Sequence, residues 1–338
     1  VIDVLVVGGG PVGLAAAIEA RLRGLSATVI EPRDGAIDKA CGEGLMPGAL
    51  PALARLGVDP AGFTLRGVSY RNGRRRVDHL FHSEGRGVRR TVLHAALHER
   101  ATALGADIVK ARVDDLAQHS DSVTAAGIRA RYLLAADGLH STVRRLVGLD
   151  RPVPARRRRY GLRRHFHMEP ESDLIEIYWT PTVEAYVTPV GGGVVGISML
   201  GRQGTDFDVT LATIPDLARR VKGREPASAL RGAGPFRQGS ARRAAGRAML
   251  VGDASGYVDA ITGEGLRVGL AQAQAAIDCV VADDPYAYER AWSSSTRDSR
   301  LLTSGLVAAA TSPFRGAIVP VAAALPGVFG ATVDRLAR

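Results

Sequence analysis

The chain has 338 residues, 46% hydrophobic and 23% charged, which excludes a disordered, collagen-like or coiled-coil protein. Its 44 Lys and Arg against 34 Asp and Glu give a formal charge of +10, yet the basic runs lack interleaved aromatics and no groove-reading motif occurs, so nucleic acid is not an expected partner. The two cysteines, Cys41 and Cys279, lie far apart, which excludes a disulfide framework or a zinc spacing and makes a reducing cytoplasm the expected compartment.

Residues 2–7 (IDVLVV) are a β-branched, apolar run of the kind buried on both faces of a parallel sheet. No charged-then-apolar leader precedes them, so no signal peptide is expected. Glycines follow, then LAAAIEARLRG reads as a helix closed by Gly24, and SATVIE as a second strand, completing a βαβ unit. Between Arg66 and Val88 two short strands flank Asn72-Gly73, a hairpin signal. Thr91–Leu104 reads as a helix, Asp107–Ala111 as a strand, and Arg131–Ala136 as a strand before Asp137-Gly138.

Residues 158–200 read as an antiparallel meander of four successive strands, with turns at Glu169–Ser172 and Gly191–Gly193 and one face covering a ligand. Asp206–Val221 is expected to be helical, Ala248–Val251 a short strand before Gly252-Asp253, and Gly265–Val281 a long apolar helix. The remainder reads as helix. Its uncharged stretch Gly316–Val333 contains Pro320 and Pro326, so buried helices are expected there rather than a transmembrane segment, with peripheral contact to a membrane as the alternative.

The first chemical motif is Gly8-Gly9-Gly10-Pro11-Val12-Gly13, a G-x-G-x-x-G at a strand-to-helix turn. Gly8 makes the tight turn, Gly10 admits a pyrophosphate close to the backbone, and Gly13 lets helix and sheet approach; the phosphate then sits on the helix N-terminus. Glu31 ends the second strand, where a carboxylate accepts hydrogen bonds from ribose hydroxyls. The expected fold class is therefore α/β. A doubly wound, Rossmann-like dinucleotide domain takes residues 1–65, 89–150 and 240–283. An antiparallel β-sheet substrate domain, 66–88 and 151–239, is inserted into it, and 284–338 form a helical C-terminus.

Two more motifs follow buried strands: Asp137-Gly138 with a helix behind it, and Gly252-Asp253 with Gly263-Glu264-Gly265 opening the next helix. In this order and context the sequence resembles the FAD-dependent flavoprotein superfamily that contains aromatic hydroxylases (group A flavin monooxygenases), flavin halogenases and geranylgeranyl reductases. The resemblance covers about residues 1–283. It implies that Gly8, Gly10, Pro11, Gly13, Glu31 and Arg33 hold the ADP half of FAD, and that the Val113 backbone meets adenine. It places Arg90, of Arg90-Thr91-Val92-Leu93, at the flavin's phosphate or ribityl region, and has Asp137 and Gly138 shape the pyrophosphate cleft. Asp253 is then expected at a ribityl hydroxyl, with helix capping as its bland alternative, and Gly263, Gly265 and Leu266 at the flavin's pyrimidine end.

A fourth motif, Lys39-Ala40-Cys41-Gly42-Glu43-Gly44-Leu45-Met46-Pro47, is similar to the K-x-C-G-x-G segment of geranylgeranyl reductases, which implies Cys41 near the flavin; Cys279 reads as core. The segment also holds the G-E-x-x-x-P of halogenases, but their W-x-W-x-I-P is missing, so halogenation is not expected. Where prenyl reductases carry tryptophan and glycine, this chain has Thr188 and Ser198. Cys41, His165 and Tyr186 are the catalytic candidates, with His165 and His167 on one strand face and Tyr178 and Trp179 on opposite faces. Val187, Pro189, Met199 and Tyr186 are expected to line an apolar substrate site. The Arg156–Arg159 run reads as a solvated loop, or as a docking point for nicotinamide phosphates. No metal site is expected. The resemblance implies an FAD-dependent oxidoreductase drawing transiently on NAD(P)H. The first reading is a monooxygenase that hydroxylates a largely apolar aromatic or polyketide-like substrate; the alternative is a geranylgeranyl-reductase-like enzyme that reduces isoprenoid C=C bonds.

Overall fold

The computed structural model describes residues 1–73, 75–154 and 158–338. Its first sheet grows outward from β1 (Ile2–Val7), which leads through α1 (Pro11–Leu22) to its parallel neighbour β2 (Ala27–Ile30). The chain then leaves this sheet through β3 (Gly44–Leu45), α2 (Ala49–Arg55) and the long hairpin β4 (Phe63–Asn72) and β5 (Arg75–Gly87). It returns by α3 (Arg90–Ala103), β6 (Asp107–Val109), the short β7 (Ala117–Gln118) and β8 (Val123–Ala125), and β9 (Ile128–Ala135).

Helix α4 (Thr142–Leu146) and β10 (Asp150–Arg151) precede the second sheet's strands β11 (Tyr160–His167), β12 (Leu174–Trp179), β13 (Glu184–Gly191) and β14 (Val194–Gly201). Helices α5 (Phe207–Ala212) and α6 (Pro215–Val221) come next, then β15 (Arg231–Ala233), β16 (Gly239–Ser240), β17 (Ala244–Ala245) and β18 (Ala248–Leu250). Helices α7 (Gly265–Val281), α8 (Tyr288–Ala310), α9 (Ile318–Ala324) and α10 (Pro326–Ala337) follow.

The first sheet runs β17-β18-β9-β1-β2-β6, with β8 attached to β9 and β7 to β8, and its four pairings from β18 to β6 are all parallel. From β1 the chain steps first to β2 and later to β9 on the other side, so the strand order reverses there and leaves a crevice at the strands' carboxyl ends. One face is covered by α1, α3 and α7 through Leu14, Ile18, Leu97, Leu270 and Ile277, the other by Val113, Val143 and Leu149. Small residues allow the close helix packing: a Cβ on Gly269 of α7 would stand 2.4 Å from Val12 of α1.

The second sheet runs β15-β11-β14-β13-β12-β4-β5-β3. This corrects the meander: β11 pairs with β14 rather than with its successor β12, and β12 lies parallel to β4. Alternation identifies strands but carries no information about distant partners. The Asn72-Gly73 hairpin is present with longer arms than expected, since β4 begins at Phe63 and β5 has 13 residues. Asp206–Val221 is two helices, broken where Pro215 starts α6. Tyr178 and Trp179 do face opposite sides, Tyr178 toward α5 and α6 and Trp179 toward the C-terminal helices.

The C-terminal expectation also needs correction. Helices α9 and α10 exist, but only their inner face is buried, and Val321, Leu325 and Val328 are exposed. Pro326 opens α10 and Pro320 sits in the first turn of α9, so the stretch is two short helices, each with a single face to bury. Among the described residues no single helix is long and apolar enough to cross a membrane.

Candidate functional site

Strands β1, β9 and β18 are neighbours, so their carboxyl ends bring Gly8, Asp137-Gly138 and Gly252-Asp253 to one cleft. The glycines of the first turn have separate roles. Gly8 sits at φ +105°, where a Cβ would meet the Ala136 carbonyl oxygen at 2.6 Å. A Cβ on Gly13 would stand 1.9 Å from the Gly8 oxygen, whereas on Gly10 it would find only the Arg90 guanidinium at 3.9 Å. Gly10 caps α1 and Pro11 opens it; among the described residues no side chain caps the free N–H groups, and no acid occupies the first turn.

Glu31, just past β2, accepts the Gly9 N–H at 2.9 Å and Arg33 Nε and Nη2 at 2.7 and 3.0 Å. Burial pushes its pKa up, but the Arg33 and Gly9 hydrogen bonds outweigh it and hold the carboxyl below its ordinary value. Asp137 Oδ2 accepts the Val143 N–H at 3.1 Å, while its buried Oδ1 has no partner among the described residues. Across the cleft Lys39 Nζ lies 3.4 Å from Asp253 Oδ2. Arg33, Cys41, Arg90, Gly263, Gly265 and Leu266 line the same cleft. Val113 does not: it is buried with Leu5, Ile30 and Leu133.

The cleft opens into a cavity of about 570 Å³ that reaches the second sheet. Its far walls are apolar, with Leu162, Ile177, Leu200 and Phe236 from one side and Val333 and Leu336 of α10 from another. Here the strand parity corrects the expected lining. Tyr186, Thr188, Ser198 and Leu200 line the cavity, whereas Val187 and Met199 lie on the opposite face, packed against Phe207 and Leu217 under α5 and α6. Pro189 does not line it either. Tyr186 donates to the Ile261 carbonyl at 2.9 Å, and burial pushes its phenol well above the usual pKa, so it acts as a neutral donor.

Cys41 is exposed to the cleft; its Sγ lies 3.4 Å from the Glu43 nitrogen and its carbonyl accepts from Ser198 Oγ at 3.2 Å. Glu43 is held in the left-handed region at φ +59°. Its carboxylate accepts the Arg90 N–H at 2.8 Å and meets His165 Nε2 at 2.5 Å. His165 Nδ1 in turn lies 2.9 Å from Ser228 Oγ and 3.0 Å from Arg163. A Cβ on Gly196 would come within 3.2 Å of the Glu43 carboxylate, so glycine makes room for this pair. His165 is therefore buried behind Glu43 and does not line the cavity, while His167 is exposed. Glu43→Ala would strand the buried His165 and the Arg90 N–H and keep the left-handed strain. It is expected to lower stability by about 2–4 kcal/mol, read as a lower urea midpoint at unchanged slope.

The arginine run is not one solvated loop. Arg156 and Arg157 lie outside the described residues, Arg158 is exposed, and Arg159 is buried between Asp259 and Glu184. Lys39, Tyr70, Tyr257 and the α10 residues Val333 and Leu336 are site residues that sequence reasoning did not assign. Lys39 was visible as the lone lysine of its motif; nothing local marks α10.

These residues fit FAD. The open space at Gly10, the uncapped N-termini of α1 and α7, and the orphaned Asp137 oxygen supply a phosphate seat, dipole-stabilised ends and a free acceptor for hydroxyls along one continuous cleft.

Residues 1–163 match the family model described as an FAD binding domain. Rifampicin monooxygenase of Streptomyces venezuelae is 36% identical over 166 residues, 44% of this chain and 34% of the relative, so the chain matches about a third of that protein's length. A digeranylgeranylglycerophospholipid reductase of Methanosarcina mazei is 29% identical over 334 residues, 86% of this chain and 80% of the relative. Among solved structures, a flavoprotein/dehydrogenase from Cytophaga hutchinsonii superposes with a TM-score of 0.86 at 20% identity, covering 99% of this chain and 92% of that one.

Proposed function

We propose, on the premise that the chain is an FAD-dependent oxidoreductase of the flavoprotein superfamily that contains aromatic hydroxylases and geranylgeranyl reductases, that it is an NAD(P)H-driven monooxygenase acting on a largely apolar aromatic or polyketide-like substrate. The observation that carries this reading is Thr188. It lines the cavity at the position where prenyl reductases carry tryptophan, so the wall that would grip a prenyl chain is a short hydroxyl side chain. No Arg or Lys falls within 184–200, which disfavours a small dianionic acid as substrate.

FAD, when bound, supplies hydride acceptance and oxygen activation. The chain's own residues bind, orient and exclude water. Gly10, Arg90, Asp137, Asp253 and Lys39 frame the cofactor cleft, and the N–H groups at Gly265 and Leu266 point the positive end of the α7 dipole at its far end. The apolar walls hold the substrate in a dry chamber beside it. Tyr186 fixes β13 to the loop after β18 through Ile261, keeping the chamber's geometry.

A second reading, reduction of an isoprenoid C=C bond, is favoured by Cys41 in the cleft and by the match along most of the chain to the Methanosarcina reductase. Turnover under ¹⁸O₂ separates the two. The monooxygenase is expected to place one labelled oxygen atom in the product and the other in water. A substrate saturated anaerobically, with no oxygen gained in air, overturns the first reading in favour of the second.

A further inference from the structure

The outer face of the C-terminal helices has no partner among the described residues. Between Gly316 and Val333 the sequence holds no ionisable side chain. The inner positions pack down: Val319, Ala322 and Val333 are buried, and Val333 reaches the cavity. The outer positions carry Val321 (52% exposed), Leu325 (52%) and Val328 (63%), and Phe314 in the turn before them is 78% exposed. On α8, Leu301 is exposed at 64%, and Gly305 and Ala308 continue its stripe at helical spacing toward that turn. Single exposed apolar residues are ordinary, but a cluster on an uncharged segment marks a surface that something apolar covers.

The unpaired charge on the C-terminal helices has one sign. Residues 285–338 hold six arginines and three acids. All three acids are engaged: Glu289 with Arg243, Asp298 with Arg335, and Asp334 with His79 and His82. Arg290, Arg297 and Arg338 are exposed and, among the described residues, meet no carboxylate; Arg297 stands one turn before Leu301 on the same stripe. Apolar side chains backed by free arginines match the acyl boundary and headgroups of an anionic bilayer. The 99° bend between 285–310 and 313–324 suits helices that lie in the surface rather than cross it.

We propose that the face formed by Phe314, Val321, Leu325 and Val328 docks the protein on an anionic lipid bilayer. Helices α9 and α10 then lie between the bilayer and the cavity, so an apolar substrate dissolved in lipid has to pass only one helix layer to reach the chamber behind Val333 and Leu336. A second copy of the chain fits the face less well, because self-association would gather the same arginines. The proposal does not depend on which reaction the flavin site performs.

The test sediments the purified full chain with vesicles of phosphatidylcholine alone or mixed with phosphatidylglycerol. Wild type is expected to co-sediment with the mixed vesicles and about tenfold more weakly with the neutral ones. The double variant Leu325→Ser, Val328→Ser is expected to lose about a hundredfold in partition to the mixed vesicles. Both side chains are exposed and neither lines the cavity, so FAD retention should be unchanged; that separate readout distinguishes failure of this proposal from failure of the flavin reading. Wild type remaining in the supernatant with both vesicles, or the variant sedimenting like wild type, overturns the proposal. So does a wild-type dimer that the two substitutions turn into a monomer.

Discussion

Gly10→Val is expected to give a folded protein that cannot retain FAD, and Gly13→Val a protein that does not fold stably. The two glycines stand three residues apart in one motif, yet their surroundings differ completely. Gly10 has φ −71° and ψ 174°, an extended conformation open to any residue, and a Cβ there meets only the far end of Arg90 at 3.9 Å. Stability should therefore change by less than about 1 kcal/mol. The new methyls would, however, occupy the space where backbone must approach a pyrophosphate, and FAD affinity should fall at least about a hundredfold, ~2.7 kcal/mol.

At Gly13 a Cβ would stand 1.9 Å from the Gly8 oxygen and 3.1 Å from Ala136. Those atoms belong to the turn and to the neighbouring strand, so neither can yield, and the expected loss exceeds about 4 kcal/mol. Flavin absorbance after reconstitution and desalting reads the first effect, and urea unfolding reads the second. A yellow Gly10→Val protein, or a Gly13→Val protein with the wild-type midpoint, would refute the division of roles.

What was legible in the sequence is what short-range chemistry determines. The β1 run, the glycine turn and α1 announce themselves because each needs particular residues within a few positions. The Asp137-Gly138 and Gly252-Asp253 motifs were visible for the same reason, and their convergence follows once β1, β9 and β18 pair in parallel. The second sheet was harder. Its strands were found, but β11 chose β14 through contacts more than 25 residues away in sequence, which no local pattern encodes. The parity of β13 and β14 was missed because both faces are buried: Val187 and Met199 look as fit for a pocket as Tyr186 and Leu200, and only the packing of α5 and α6 tells them apart. Glu43 shows the same limit. It reads as one letter of a motif, while its partners His165 and Arg90 come from two other elements.

The second large effect concerns pH. Arg159, Glu184, Asp259 and Arg315 form a buried quartet beside the cavity: Arg159 reaches both Glu184 and Asp259, the latter at 3.0 Å, and Arg315 lies 2.5 Å from Glu184. Burial pushes Asp259 up to about 6 from its ordinary 3.8, because Arg159 offsets only part of that penalty and the Glu184 charge adds to it. A carboxyl whose folded pKa lies above its unfolded one binds its proton more readily in the fold. Its contribution to stability is complete below the unfolded value and is lost as pH rises through about 6. The ionised form thus weighs against folding at neutral pH by on the order of 3 kcal/mol.

Asp259→Asn removes the titration while keeping an oxygen that can accept the Ile261 N–H, now 3.1 Å from Asp259 Oδ1, and Arg159 keeps Glu184 as its partner. The stability of the variant relative to wild type is therefore expected to rise between about pH 4 and pH 7 by on the order of 3 kcal/mol, read as the difference between urea midpoints across that range. Other groups titrate in the same window, but they are common to both proteins and cancel in the difference. A difference that stays flat with pH would mean that Asp259 is not the group that titrates. A falling difference would mean that its pairing with Arg159 outweighs its burial, and that the ionised quartet itself holds the loop 257–263 against the cavity.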